Sequence, residues 1–366
     1  MSLPVLRELT PLGRIVVLAT LAVSVLGIAM EYVLGIHGTP LFFVSAAAIL
    51  GLAYVVGLST ERLGAITGPQ VGGILNATFG NIAELIIAFF ALQAGLIQVV
   101  KASITGSIIG NLLLVLGASL LLGGLRNGTQ KFNARIAGLD ATLLFLAVIG
   151  LVIPATFASS APNPTDPGSP GRLEESIVIS VVLMVLYIGA IFYRFRHPAD
   201  VLGGEHAEDH GGPPWGARTA IGVLLATAVL LAVLSEILVG AIDPFVEAFG
   251  LTPFFVGVIL IPTIGNLAEH LVAVQLAMKN KVDFAMAVAT GSSLQVALFV
   301  APVLVLLGVV LNRPMDLVFA PLEVAAVGVA GIITALISLD GESNWLEGAL
   351  LMGVYIILGV SFFFLR

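Results

Sequence analysis

Gly80-Asn81-Ile82-Ala83-Glu84 sits inside a long apolar run, and it returns as Gly265-Asn266-Leu267-Ala268-Glu269, 185 residues further on. Thr105-Gly106-Ser107 returns at the same distance as Thr290-Gly291-Ser292. Working outward, the chain is apolar from end to end, in runs of the ~20 residues that a bilayer-spanning helix needs. These runs fall at 12–35, 41–60, 68–94, 98–122, 136–158, 174–194, 217–240, 251–278, 282–308, 316–338 and 345–365. They are continuous, whereas a barrel strand alternates over about ten residues, so helices are the only spanning structure they allow. The expected fold is an all-α polytopic membrane protein of about eleven transmembrane helices.

Composition agrees. Of 366 residues, 58% are hydrophobic and 10% charged, with a mean hydropathy of +1.11, against roughly 25% charged in a soluble domain. The first run, Leu12 to Leu34, is too long for a signal-peptide core and ends without a small-residue cleavage site. Cysteine is absent, which excludes disulfides, thiolate metal sites and cysteine nucleophiles. No basic tract points to nucleic acid.

A polar interruption near 195–215 divides the chain into related halves. The expected organisation is an extra amino-terminal helix (1–36), a five-helix repeat (37–195), an acidic cytoplasmic linker (196–215) and a second five-helix repeat (216–366). An odd number of spans per repeat makes the second copy enter from the opposite face, the inverted duplication of many secondary transporters. Eleven of the Lys and Arg residues fall on the amino-terminal side and four, Lys101, Arg172, Arg313 and Arg366, on the other. That bias places the amino terminus in the cytoplasm and the carboxyl terminus outside.

Glu84 and Glu269 lie well inside apolar segments with no Lys or Arg at helical spacing. A charged carboxylate at the bilayer centre costs at least ~2.5–3.5 kcal/mol, so each is expected to be protonated or bound to a cation. Asn81 and Asn266 stand three residues earlier, on the same helix face, and offer amide oxygens suited to calcium. Thr78 and Thr263 add hydroxyls, and Gly80, Gly265 and Pro262 loosen the helical ladder so that carbonyl oxygens can face a cavity. Oxygen-only ligands favour calcium over zinc or copper. Ser107, Ser292 and Gln295 suit either close packing or support of the site. Glu61 and Glu236, near the ends of their spans, suit anchoring or cation entry. His270 suits packing or proton access. Asp140 and Glu323 occupy matching spans with no assigned role, and the acidic run Glu205 to His210 reads as solvated, with weak divalent binding as the lesser alternative.

The stretch from Gly80 through Leu92, the run Lys101-Ala-Ser-Ile-Thr-Gly-Ser-Ile-Ile-Gly-Asn-Leu-Leu-Leu, and Gly265-Asn-Leu-Ala-Glu-His with Ala289-Thr-Gly-Ser-Ser-Leu-Gln together resemble the Ca2+/cation:proton antiporter (CAX) family over nearly the whole chain. The resemblance implies the fold of the cation/calcium exchanger superfamily. It implies that Glu84 and Glu269 alternate between Ca2+ and H+, with Asn81 and Asn266 beside them. Sodium-coupled relatives place a further acid after one motif, where this chain reads Thr-Gly-Ser. Gly110-Asn111 in one half against Gln295-Val296 in the other is a departure from symmetry without an explanation in the sequence. An intramembrane enzyme is disfavoured: there is no His-Glu-x-x-His, no buried Ser–His pairing, and no Gly-x-Gly-Asp around Asp140. A divalent channel and a sodium- or potassium-coupled exchanger are the remaining rivals. No cofactor is expected. The expected partners are Ca2+, H+ and the lipid bilayer of a prokaryotic cell membrane, with homo-oligomerisation left open.

Overall fold

The computed structural model of the chain describes residues 9–68, 75, 78–160, 171–196 and 216–365. The linker, with Glu205 to His210, lies outside the described residues, as does most of 69–77. The helices are α1 (Pro11–Leu34), α2 (Thr39–Thr67), α3 (Ile82–Gln93), α4 (Ile97–Asn127), α5 (Ala134–Ser159), α6 (Arg172–Arg194), α7 (Ala217–Gly240), α8 (Ile242–Phe249), α9 (253–278), α10 (Val282–Val310), α11 (Pro321–Ile337) and α12 (Trp345–Phe364). Eight of these are long and apolar enough to cross a bilayer, and α3 and α11 are shorter apolar helices. The chain is a multi-pass membrane protein. Among the described residues, eight of the eleven expected spans are such helices, nine if the bent pair α8–α9 is one span, and the expected spans 68–94 and 316–338 hold the shorter α3 and α11. Two features were not expected. Helix α8 lies in what reads as a loop, and a two-residue antiparallel ladder pairs Gln130–Lys131 with Glu342–Ser343.

Starts and stops follow local chemistry. Pro occupies the first turn of α1, α2, α9 and α11, where its missing N–H costs nothing and its fixed φ suits a helix. The Asn344 side chain accepts from the amides of Leu346 and Glu347 at the start of α12. Helix α8 ends at Gly250 with φ +63°, a conformation that glycine adopts without strain.

Among the described residues, four spans contain π-helical turns, at Met30–Leu34, Gly110–Val115, Val256–Leu260 and Val296–Val300. The last two end two residues before Pro262 and Pro302. Proline has no N–H to return to the carbonyl four residues back, and a π turn shifts the ladder around it. The loosening expected at Pro262 therefore takes the form of a wider turn, with α9 helical straight through its motif.

The described residues form two compact units, one within 1–90, 195–251 and 264–268, the other within 91–194, 252–263 and 269–366. In the first unit α2 packs against α1 and α7, and the Phe42 and Phe245 rings stack 4.0 Å apart. In the second, α12 runs along α4 and α11 along α5. Small residues permit the approach: a Cβ built on Gly106 of α4 would fall 1.9 Å from the Val258 carbonyl oxygen in the π turn of α9. Close backbone contact of this kind replaces the hydrophobic driving force that helices lack in lipid. Along α6, Val178, Val181, Val185, Ile188 and Phe192 are exposed, a face suited to lipid and too apolar for water.

Candidate exchange site

In the first unit, Asn81 forms the entry to α3: its carbonyl accepts the Leu85 amide at 3.1 Å, and the helix begins at Ile82. Glu84 is in the first turn. The first motif therefore straddles a helix start, with Asn81 just before α3 and Glu84 inside its first turn. The partial positive charge of that end favours a carboxylate in the first turn. Glu84 is 7% exposed and Asn81 1%. Gly265 makes room for it, since a Cβ built there would lie 2.7 Å from Glu84 Oε1. Asn266, next in the chain, is 1% exposed. Both asparagines and Glu84 thus share one unit.

Glu269, one turn along α9 from Asn266, is mid-helix and lacks the help of a helix end. It is served by a hydroxyl: Ser292 of α10 hydrogen-bonds the Glu269 carboxylate. Asn111 Nδ2 donates to Ser292 Oγ at 2.9 Å. Because Asn111 supplies a proton to the serine oxygen, the serine's own proton is directed at Glu269. The asymmetry noted in the sequence has its reason in this relay. Asn111 lies in the π turn of α4, is 2% exposed and serves the serine of the opposite half. The signal that could have found it was a buried amide one turn beyond Ser107 in an otherwise apolar run. Gln295 and Ser107 are buried nearby in sequence, at 4% and 2% exposure.

The remaining candidates divide. Thr263 spends its hydroxyl proton on the Ile259 carbonyl at 2.6 Å, leaving only its lone pairs for a cation. Thr78, Glu61 and Glu236 are exposed. His270 Nε2 is buried with no hydrogen-bond partner among the described residues. Asp140 and Glu323 are buried and engaged with threonines of α10 and α4. The donors around Glu84 and Glu269 are carboxylate, amide and hydroxyl oxygens, the hard set that suits a divalent cation of the calcium type.

The family model for sodium/calcium exchanger protein matches residues 37–196 and 219–364. The chain belongs to that family. It is 43% identical over 343 residues to the "Ca(2+)/H(+) antiporter" of Aphanothece halophytica, covering 88% of this chain and 90% of that one. It is 41% identical over 355 residues to the "Ca(2+)/H(+) antiporter ChaA" of Bacillus subtilis strain 168, covering 96% and 98%. Among solved structures, native YfkE matches with a TM-score of 0.81 at 38% identity, over 96% of this chain and all (100%) of the other.

Proposed function

We propose that this chain exchanges Ca2+ for H+ by alternating access, with Glu84 and Glu269 holding the cation and Asn81 and Asn266 supplying neutral oxygens. The observation that carries it is the pair of duplicated carboxylates, each embedded in apolar helix and each given its own polar support, a helix start for Glu84 and the Asn111–Ser292 relay for Glu269. Two carboxylates balance one divalent cation. When the cation leaves, low-dielectric surroundings make two bare charges costly, and protons restore the balance for the return. Every state that crosses is then compensated, so the two fluxes run against each other. The relatives' names point to the same pair of ions. Glu84 packs over Gly265, the residue before Asn266, which supports Glu84 and Asn266 serving one cation. The two five-helix repeats are inverted, the amino terminus is cytoplasmic, and the membrane is that of a prokaryotic cell.

Everted membrane vesicles test the reading. An inside-acid pH gradient in sodium-free medium should drive calcium uptake, and dissipating the gradient should stop it. Uptake that required a sodium gradient and ignored the pH gradient would favour the sodium-coupled alternative.

A further inference from the structure

Asp140 and Glu323 have no part in the exchange just described, yet both are buried in apolar helices, each 3% exposed. Their partners follow a pattern. Thr290 Oγ1 of α10 lies 2.9 Å from Asp140 Oδ2 of α5, and Thr105 Oγ1 of α4 lies 3.0 Å from Glu323 Oε1 of α11. Thr105 and Thr290 lead the duplicated Thr-Gly-Ser triplets. Each triplet is therefore tied to an acid from the opposite half of the sequence, twice over and in the same way.

The second oxygen of each acid is also committed. Asp140 Oδ1 pairs with Arg194 at the end of α6. Glu323 Oε2 accepts the Ala320 amide at 2.8 Å, at the start of α11. With one oxygen held, by a guanidinium for Asp140 and by a backbone amide for Glu323, each carboxyl presents its other oxygen to a threonine hydroxyl. The threonines do not need it for satisfaction. Thr20 and Ser45 show that a buried hydroxyl in this protein can bond the carbonyl four residues back, and Thr290 Oγ1 has such a carbonyl, Met286, at 2.8 Å. The contact to the acid is thus additional to the local one, and it reaches another helix. Burying an acid merely to satisfy a hydroxyl would be a costly arrangement, so something else is gained.

Rotation is what it controls. Residues two apart on an α-helix point about 200° apart, so Thr290 and Ser292 project from nearly opposite sides of α10, as Thr105 and Ser107 do on α4. We propose that Asp140 and Glu323 are positioning residues. By gripping Thr290 and Thr105 they fix the rotation of α10 and α4, and so the direction in which Ser292 meets Glu269 and Ser107 is presented. This rests on the reading of Glu269 as an exchanging group.

The test is calcium uptake against calcium concentration by the full chain in proteoliposomes, for Thr290→Val, Thr290→Ser and Glu269→Gln, with assembly checked by thermal melting. Valine keeps the shape of threonine without the hydroxyl. Thr290→Val is expected to raise half-saturating calcium about fivefold, the scale of one hydrogen bond, while the maximal rate stays within about twofold. Thr290→Ser should restore the parental value. If Thr290→Val keeps the parental half-saturation while Glu269→Gln is inactive, the positioning role is overturned and the exchange site stands. If Glu269→Gln transports normally, the site reading itself falls. Should Thr290→Val fail to assemble, Thr105→Val and Thr105→Ser decide by the same comparison: a rise in half-saturation rescued by serine supports the role, and none overturns it.

Discussion

Glu84 and Glu269 carry the same chemistry in different settings, one in the first turn of α3 and the other mid-helix against Ser292. If both neutralise the cation, Glu84→Gln and Glu269→Gln each abolish exchange in a protein that still inserts and elutes as the parent does, because an amide neither balances the cation nor exchanges a proton. Near-parental calcium flux in either variant would refute the assignment. Asn266→Ala removes one neutral ligand and should raise half-saturating calcium about tenfold, which corresponds to ~1.4 kcal/mol, with the maximal rate largely kept. Gly265→Val should behave like the glutamate variants, since the new side chain would occupy the space of the Glu84 carboxyl. Glu84 and Glu269 stand out in the sequence because their motif is written twice, and chance rarely places an acid at matched depth in two apolar runs. The partners of Asn111, Thr105 and Thr290 were not legible, because they lie on helices far off in sequence: Asn111 and Ser292 are separated by 181 residues and Thr290 and Asp140 by 150. Local sequence can mark such residues as polar or repeated, but not say which distant residue each one meets.

At the level of elements, continuous apolar runs located the eight helices long enough to span, since lipid demands internally satisfied backbone and favours unbroken apolar length. Short pieces escaped. Helix α8 has eight residues and the β-ladder two per strand, too few for any periodicity to show. The π turns were only half legible. Pro262 and Pro302 announce a disturbed ladder, but Gly110–Val115 contains no proline. What the π turn of α9 does is bring the Val258 carbonyl against Gly106, where a Cβ has no space. Gly106→Val should therefore lower stability by roughly 1–3 kcal/mol or prevent folding, the range for overpacking. The melting temperature in detergent and the yield of monodisperse protein would measure this. A variant that melted with the parent would show that α4 and α9 need no such contact.

For the molecule as a whole, the distribution of cations is the basis of the proposed topology. Of the four that the charge bias assigns to the outer side, Lys101 and Arg172 are both bound to Asp316, which ties the loop before α11 to the starts of α4 and α6. Their charge is largely spent internally, which sharpens the bias towards a cytoplasmic amino terminus. Reporters fused at residue 205 and after the last residue should register opposite faces, the first cytoplasmic. Agreement between them would undo both the span count and the inverted repeat. The central claim is that one site holds either Ca2+ or protons. It is tested most directly by adding calcium to the purified protein in weakly buffered, sodium-free detergent solution and recording the pH with an indicator dye. Protons should appear in proportion to bound calcium, saturate with it, and be absent for Glu269→Gln. Calcium binding by the parent protein without proton release would contradict exchange at a shared site.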